Sequence, residues 1–292
     1  MSPAPSRDWA IGVDIGGTNI RAARVDTEGH MADLRKVRTD SGPDAPSLVI
    51  GLCQELLDDE VEAIGIGIPG RLDHERTTVL SSGYVELSGL RLGEAVGGAM
   101  GRPAVLENDA GMALIAELAI GAASGADDVV LFTAGTGIGG AVAVGGELLH
   151  GRGNAGQLGH LALDDGGPRC NCGRRGCSEV LASGTALRHL LRDAGLPAAT
   201  TIETLLQQRA SDPAATEVLE RWGRAWRDAI DTVVAVLDPE LVVIGGGLGA
   251  AAVATLEVTH PTTSPWFECP VVPARLGDDA GVIGAGLRAL AR

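Results

Sequence analysis

The feature that most constrains this chain is a recurring unit, an apolar strand that runs straight into a glycine turn. Residues 9–14 (WAIGVD) read as a buried strand, IGGT as a tight turn and NIRAARVD as an alternating second strand. Two strands around a glycine turn make a β-hairpin. The pattern starts over with a strand at 128–133, the turn AGTGIGG over 134–140 and a strand at 141–144. A further strand, LVVI, runs into Gly245-Gly246-Gly247 and a helix. The echo indicates an internal duplication, two hairpins that each present a glycine turn. Three glycine turns, each following a strand, favour a nucleotide cleft over unrelated turns. Glycine is abundant accordingly, 43 of 292 residues, about twice ordinary usage.

Between these turns the chain alternates. Strands are expected at 31–37, 61–68 (ending at Pro69-Gly70) and 103–107, and helices at 46–59, 90–100 and 108–120. Residues 150–185 are polar and rich in glycine and cysteine, with little periodicity, so something other than a core must hold them. Helices follow, the longest over 212–237, and a last one covers 280–291. The expected class is α/β in two lobes. Residues 1–120, joined by the terminal helix at 280–292, form the first lobe; 121–279, with a metal-binding loop at 160–177, form the second.

Charge and targeting signals exclude several classes. With 23 basic and 38 acidic residues the net charge is −15, which repels a phosphate backbone and argues against nucleic acid as a partner. Lys36 is the single lysine, and no G-x-x-x-x-G-K-[ST] loop is present. The first residues lack the charged start and apolar stretch of a secretory leader. The uncharged window 129–146 holds six glycines, so it reads as a glycine loop between strands and not as a membrane span. A cytoplasmic protein is expected, with Cys53 and Cys269 as buried thiols.

Five segments carry chemistry. In Asp14-Ile15-Gly16-Gly17-Thr18-Asn19 a strand-end carboxylate can face a cation while the turn's N–H groups face an anion. Gly135-Thr136-Gly137 lets backbone approach a phosphate, but the segment fails as a dinucleotide fingerprint because no helix opens after it. Gly245-Gly246-Gly247 can bring backbone against a flat ring. Glu107-Asn108-Asp109 ends a strand and opens a helix, where an Asp serves either as a cap or as a general base that takes a proton from a sugar hydroxyl. His160, Cys170, Cys172 and Cys177 offer one imidazole and three thiolates, a complete and closed tetrahedral shell for structural Zn²⁺. C-x-C-x4-C is not the spacing of a redox pair, although nearby arginines could lower thiol pKa values without a metal.

Taken in order, DIGGT, GIGIPGRLD, LENDAGMALIAE, TAGTGIGGAVAVGGELLHGRGNAGQLGH, CNCGRRGCSEVLASG and VVIGGG resemble the ROK family of sugar kinases and repressors, and they span essentially the whole chain. The resemblance implies a two-lobed actin-like ATPase (ribonuclease H-like) fold with a zinc loop. Family repressors carry a DNA-reading segment ahead of DIGGT. Asp14 lies too early for one, so the kinase branch is expected. On that reading Asp14, Gly16, Gly17, Thr18 and Asn19 meet the ATP phosphates and Mg²⁺. Thr136 and Gly137 hold phosphate, and Gly246 and Gly247 lie near adenosine. Asp109 is the base on the sugar 6-hydroxyl, while Asn108, His160 and Glu179 bond ring hydroxyls. His160 is then both zinc ligand and sugar contact. The resemblance also implies closure of the lobes over the sugar and a homodimer or dimer of dimers.

One position departs from the family. Where it usually has E-x-G-H, this chain reads Gln157-Leu158-Gly159-His160. An amide both accepts and donates, whereas a carboxylate only accepts. That change disfavours an ammonium-bearing sugar and suits an N-acetyl carbonyl or a retuned hexose contact. Gly70-Arg71 is similar to the corresponding segment of N-acetylmannosamine kinases, although Arg71 alone also fits a surface charge. The expected activity is ATP-dependent phosphorylation of a hexose. N-acetylmannosamine or another N-acylhexosamine is the alternative substrate, and a catalytically silent sugar sensor the alternative of another class.

Overall fold

The computed structural model describes residues 8–40, 44–83, 85–262 and 264–291; residues 1–7, part of the leader reading, lie outside them. The chain divides into two compact units. One comprises Met1–Gly125, Leu148–Ala155 and Asp278–Arg292, the other Ala126–Glu147 and Gly156–Gly277. The segment Leu148–Ala155, which follows the second hairpin in sequence, thus belongs to the first unit.

The first unit opens with β1 (Trp9–Ile15), β2 (Asn19–Asp26) and β3 (Met31–Arg38), then α1 (Ala45–Leu56) and β4 (Val61–Ile68). A short hairpin, β5 (Gly70–Leu72) and β6 (Val79–Ser82), precedes α2 (Leu92–Met100), β7 (Ala104–Asn108) and α3 (Asp109–Ile120). The sheet order is β3-β2-β1-β4-β7. β1 pairs antiparallel with β2 and parallel with β4, and β4 pairs parallel with β7. Both faces of β4 are covered, so it reads as a nearly continuous apolar run. α1 starts where Asp44 accepts the Ser47 N–H at 2.9 Å and buries Val49, Leu52, Cys53 and Leu56 on one stripe. The β5–β6 hairpin was not expected from the sequence. Its turn is held by the Asp73 carboxylate, which accepts the N–H groups of Thr77 (2.7 Å) and Thr78 (3.1 Å).

The second unit repeats the plan. β8 (Val129–Ala134), β9 (Ile138–Val144) and β10 (Glu147–Leu148) are followed by α4 (Ser178–Ala182), α5 (Gly184–Asp193), α6 (Ile202–Gln208) and α7 (Pro213–Leu237), then β11 (Leu241–Gly245), α8 (Gly249–Thr259) and β12 (Val271–Pro273). The sheet order is β10-β9-β8-β11-β12, again an antiparallel hairpin joined to parallel strands. α7 begins at Asp212, which accepts the Ala214 N–H, and Pro213 fits the first turn because its missing N–H has no helical partner there. Its inner face carries Trp222 and Trp226, both fully buried; Phe132 of β8 meets the Trp226 ring edge-on at 5.6 Å. The structure corrects the expected turn over 134–140. β9 begins at Ile138, not at residue 141, since Ala134 pairs with Ile138 and Thr133 with Gly139. Gly140 lies inside the strand, where a Cβ would come within 2.6 Å of the Leu158 side chain.

The final helix, α9 (Ala280–Leu290), belongs to the first unit and packs on β1, β4 and α3. It lies directly on strand backbone. A Cβ on Gly65 would stand 1.8 Å from the Ala285 carbonyl, and one on Gly12 2.0 Å from that of Val282. Glycine at both positions is therefore a packing requirement. No described helix is long and apolar enough to cross a membrane.

Candidate active site

In the first unit, two acidic side chains lie close together. Asp14 sits near the end of β1, opposite Arg21 on β2 and beside Gly67 on β4. Asp109 is the first residue of α3, and a Cβ on Gly67 would lie 3.8 Å from its Cα. Both keep some contact with solvent, yet protein surrounds both. Burial pushes the Asp109 carboxyl up to about 6, against the pull of the Ala110 N–H at 2.8 Å and of Asn108. Asp14 is also raised to about 6, by burial first and then by the charge of Asp109, with Arg21 opposing. Arg21 is itself held by Asp279 and the Asp278 carbonyl, at the start of α9.

Asn108 is the N-cap of α3. Its side-chain oxygen accepts the Ala110 N–H at 3.0 Å, and its amide donates to the Gly70 carbonyl at 2.8 Å. Gly70 takes φ +148° against the Ser81 carbonyl, so its identity is fixed by the backbone. Arg71 next to it donates to Asn154 at 2.6 Å. The turn Gly16-Gly17-Thr18-Asn19 is closed by the Gly16 N–H to the Asn19 carbonyl (2.9 Å) and by Thr39, which bonds Gly16 and Thr18. Gly17 and Thr18 are exposed. Asp14, the turn, Asn108, Asp109, Gly70 and Arg71 thus all lie in the first unit.

In the second unit the two other glycine turns come together. The Gly135 carbonyl accepts the Gly184 N–H at 2.8 Å, the Thr136 carbonyl accepts the Thr185 hydroxyl at 2.8 Å, and the Ala134 carbonyl accepts the Leu248 N–H at 3.0 Å. Thr136, Gly246 and Gly247 are exposed, with Gly137 at the turn's end. These glycines are not equivalent. Gly246 has φ +76°, and its Cβ would lie 2.5 Å from the Ala134 carbonyl, so the fold itself demands glycine. Gly135 and Gly247 have no left-handed φ, and a Cβ on either would meet no protein atom within 4 Å. Nothing in the chain's own packing calls for glycine there, as expected where a ligand passes close to backbone.

His160, Cys170, Cys172 and Cys177 converge, with their ligand atoms all within 4.8 Å of one another. His160 Nδ1 lies 3.6 Å from Cys170 Sγ, and the Cys172 and Cys177 sulfurs are 3.6 Å apart. A tetrahedral zinc shell with Zn–S of about 2.3 Å has edges of about 3.8 Å, so the four residues fit that ion. The knuckle is made by Cys170 N–H to the Arg174 carbonyl (2.8 Å) and Gly173 N–H to the Cys170 carbonyl (3.0 Å). Arg174 draws the Cys172 thiol down to about 7, and burial holds that of Cys177 up near about 12. With Nδ1 turned to the thiols, His160 keeps Nε2 for another partner. The neighbouring Glu179 carboxylate accepts the Ile138 N–H at 3.1 Å and so fixes the start of β9. Gln157, at the head of the turn Leu158–His160, is half-buried.

Sequence reasoning missed one group. Glu107 is buried beside Asn108 and holds His150 and Arg76. A glutamate in an otherwise apolar strand end was the available signal.

The chain matches the model of the ROK family over residues 10–292, and it belongs to that family. Its fold is the family's actin-like ATPase type. It is 32% identical to the glucokinase of Thermotoga maritima, over 94% of this chain and 95% of that one. It is also 32% identical to the N-acetylmannosamine kinase of Citrobacter koseri, over 96% and 98%. Among solved structures, a ROK family glucokinase from Streptomyces griseus in complex with glucose and AMPPNP matches with a TM-score of 0.78 and 32% identity, covering 97% of this chain and 99% of that one.

Proposed function

We propose that this chain is an ATP-dependent hexose kinase acting on the sugar 6-hydroxyl, with glucose or a close relative as substrate. The observation that carries the reading is Asp109, a desolvated carboxyl raised to about 6 at the head of α3, beside Asp14 and Asn108. A hydroxyl is a weak nucleophile until its proton has somewhere to go. The 6-oxygen bonds to the γ-phosphorus as the bond to the β–γ bridging oxygen breaks. The proton passes to Asp109, and ADP leaves with the sugar 6-phosphate. Everything else is positioning and charge neutralisation. The similarity to a glucokinase with bound glucose and AMPPNP supports both substrates.

The other residues take roles consistent with their donors. Asp14 offers the hard oxygen that Mg²⁺ prefers, and Gly16, Gly17, Thr18 and Asn19 offer turn backbone to phosphate. Thr136 and Gly137 serve phosphate, and Gly246 and Gly247 the adenosine. The open space at Gly135 and Gly247 supports this. Asn108, Glu179 and His160 bond sugar hydroxyls. His160, Cys170, Cys172 and Cys177 would hold a structural Zn²⁺, which ties down an irregular stretch that has little core of its own. We place the protein in the cytoplasm, where ATP is available and thiols stay reduced, and as a homodimer or dimer of dimers.

Gln157 favours a second substrate class, the N-acylhexosamines, because its amide can donate to an acyl carbonyl. Arg71 and the similarity to an N-acetylmannosamine kinase point the same way. A coupled ADP-release assay over hexoses, amino-hexoses and N-acetylhexosamines decides. Turnover of glucose above the others supports the first reading, and turnover of N-acetylmannosamine above glucose supports the second. Sugar binding with no turnover of any of them would make the chain a silent sensor and overturn both.

A further inference from the structure

Two locally unfavourable features meet two residues before Asp109. Glu107 is a carboxylate buried to 4% exposure, in a strand end where an apolar side chain would pack more simply. Arg76, in the β5–β6 turn, is a non-glycine residue at φ 54°. Its Nε lies 3.6 Å from Glu107 Oε2. The same oxygen lies 2.7 Å from His150 Nε2, although His150 is 43 residues away in sequence. Glu107 Oε1 accepts the Asn108 backbone N–H at 2.9 Å. Space for the side chain comes from Gly111, where a Cβ would stand 3.0 Å from Glu107 Cγ. Strain and buried charge that converge on one spot point to a task beyond holding the fold together.

What Glu107 holds is a strap. Leu148–Ala155 lies in the first unit, although the chain on either side of it belongs to the second. Inside the strap, the His150 carbonyl accepts the N–H groups of Gly153 (2.8 Å) and Ala155 (3.3 Å). Asn154 accepts from Arg71 at 2.6 Å. Gly153, at φ +94°, leaves only 2.7 Å between a would-be Cβ and the Leu72 carbonyl. One carboxylate therefore ties the strap, the β5–β6 turn and the Asn108 backbone to one point.

We propose that Glu107, with His150 and Arg76 as its partners, is a positioning residue of the sugar site. It sets the backbone of Asn108 and Asp109 and fixes the strap that carries Asn154. This rests on the kinase reading above. Asn108 and Asp109 are given to the sugar, and the ATP residues lie on other turns, so the sugar and nucleotide constants separate.

The test uses the full chain and the variants Glu107→Gln, His150→Phe, His150→Gln and Arg76→Gly. Sugar and ATP are varied separately, glucose affinity is measured by calorimetry without ATP, and melting temperature is recorded. Glu107→Gln and His150→Phe should each raise the sugar KM about tenfold and lower kcat about tenfold, with the ATP KM within about twofold. His150→Gln keeps a donor at the same reach and should recover most of the loss. Arg76→Gly relieves the left-handed strain, so the melting temperature should hold or rise while the sugar KM rises about threefold. Should Glu107→Gln not fold, His150→Phe and Arg76→Gly carry the same comparison. A lower melting temperature or kcat with both KM values and the glucose affinity unchanged would reduce Glu107 to a structural part and overturn the proposal. Unaltered constants in Glu107→Gln and His150→Phe would overturn it too. A wild-type chain that turns over no hexose defeats the kinase reading instead, and glucose affinity across the variants then judges the positioning role separately.

Discussion

The β1–β2 hairpin and the β8–β9 hairpin share a plan and differ in charge. Each is the antiparallel start of a five-stranded sheet that continues with parallel strands. Asp14, one position before the end of β1, faces Arg21 on one side and Gly67 on the other. At the same place in the second hairpin, Thr133 faces Gly139 and Gly245. A glycine on the neighbouring parallel strand is common to both. The carboxylate and its guanidinium occur in the first hairpin alone. The repeated architecture therefore supplies two backbone cradles, while the charge chemistry is written into one of them. A fold can be duplicated without its chemistry, because register follows from backbone pairing and a pKa follows from what surrounds one side chain.

The harshest test of this division is Asp109→Asn, which keeps the shape and removes the base. The expected kcat falls about 10³-fold with glucose affinity within about threefold; calorimetry and turnover together check it. Asp14→Asn should lower kcat about 10²-fold, whereas Thr133→Val at the matching place should change it less than about threefold. Equal losses would break the comparison. Activity should also rise about a hundredfold from pH 5 to a plateau above pH 7, since Asp14 and Asp109, both raised to about 6, must ionise together. Stability runs the other way. A carboxyl raised in the folded state contributes most below its unfolded value near 4, and that contribution is lost as pH climbs through about 6, so thermal melts should show a decline across that window.

In the second unit the effects are structural or nucleotide-linked. Elemental analysis should find about one zinc per chain, and Cys170→Ser should lower the melting temperature by about 10 °C with loss of that zinc. Gly135→Ala should raise the ATP KM about fivefold with an unchanged melting temperature, because a methyl group meets no protein there. Gly246→Ala, at φ +76° against a carbonyl, should instead destabilise the chain by more than about 1 kcal/mol. Similar behaviour of the two alanines would mean that the glycines do not divide between ligand and fold.

Much of the site was legible in the chain itself. The hairpin turns, Asn108 and Asp109 at a strand-to-helix junction, and the clustered His160, Cys170, Cys172 and Cys177 all announce themselves through short-range patterns, although the cap is Asn108 and not Asp109. The β5–β6 turn and the start of β9 at Ile138 did not. Asp73 closes the first through its own side chain, and pairing with Ala134 carries the second through two glycines that read as loop. Glu107 was visible but mute, because its partner His150 lies in a segment that reads as part of the other half of the chain.

By itself, the sequence determined the types of most elements, the strand-to-glycine-turn junctions and the clustering of His160, Cys170, Cys172 and Cys177, since each is encoded within a few residues by periodicity, φ and donor chemistry. Tertiary structure alone decided that Asp14 is buried, with Asp109 near it, so that its carboxyl is raised to about 6. It also decided which glycines serve the fold and that a strap from beyond the second hairpin is pinned beside Asn108. Desolvation and long-range hydrogen bonds depend on what is packed around a group, and neighbours in space are not neighbours in sequence.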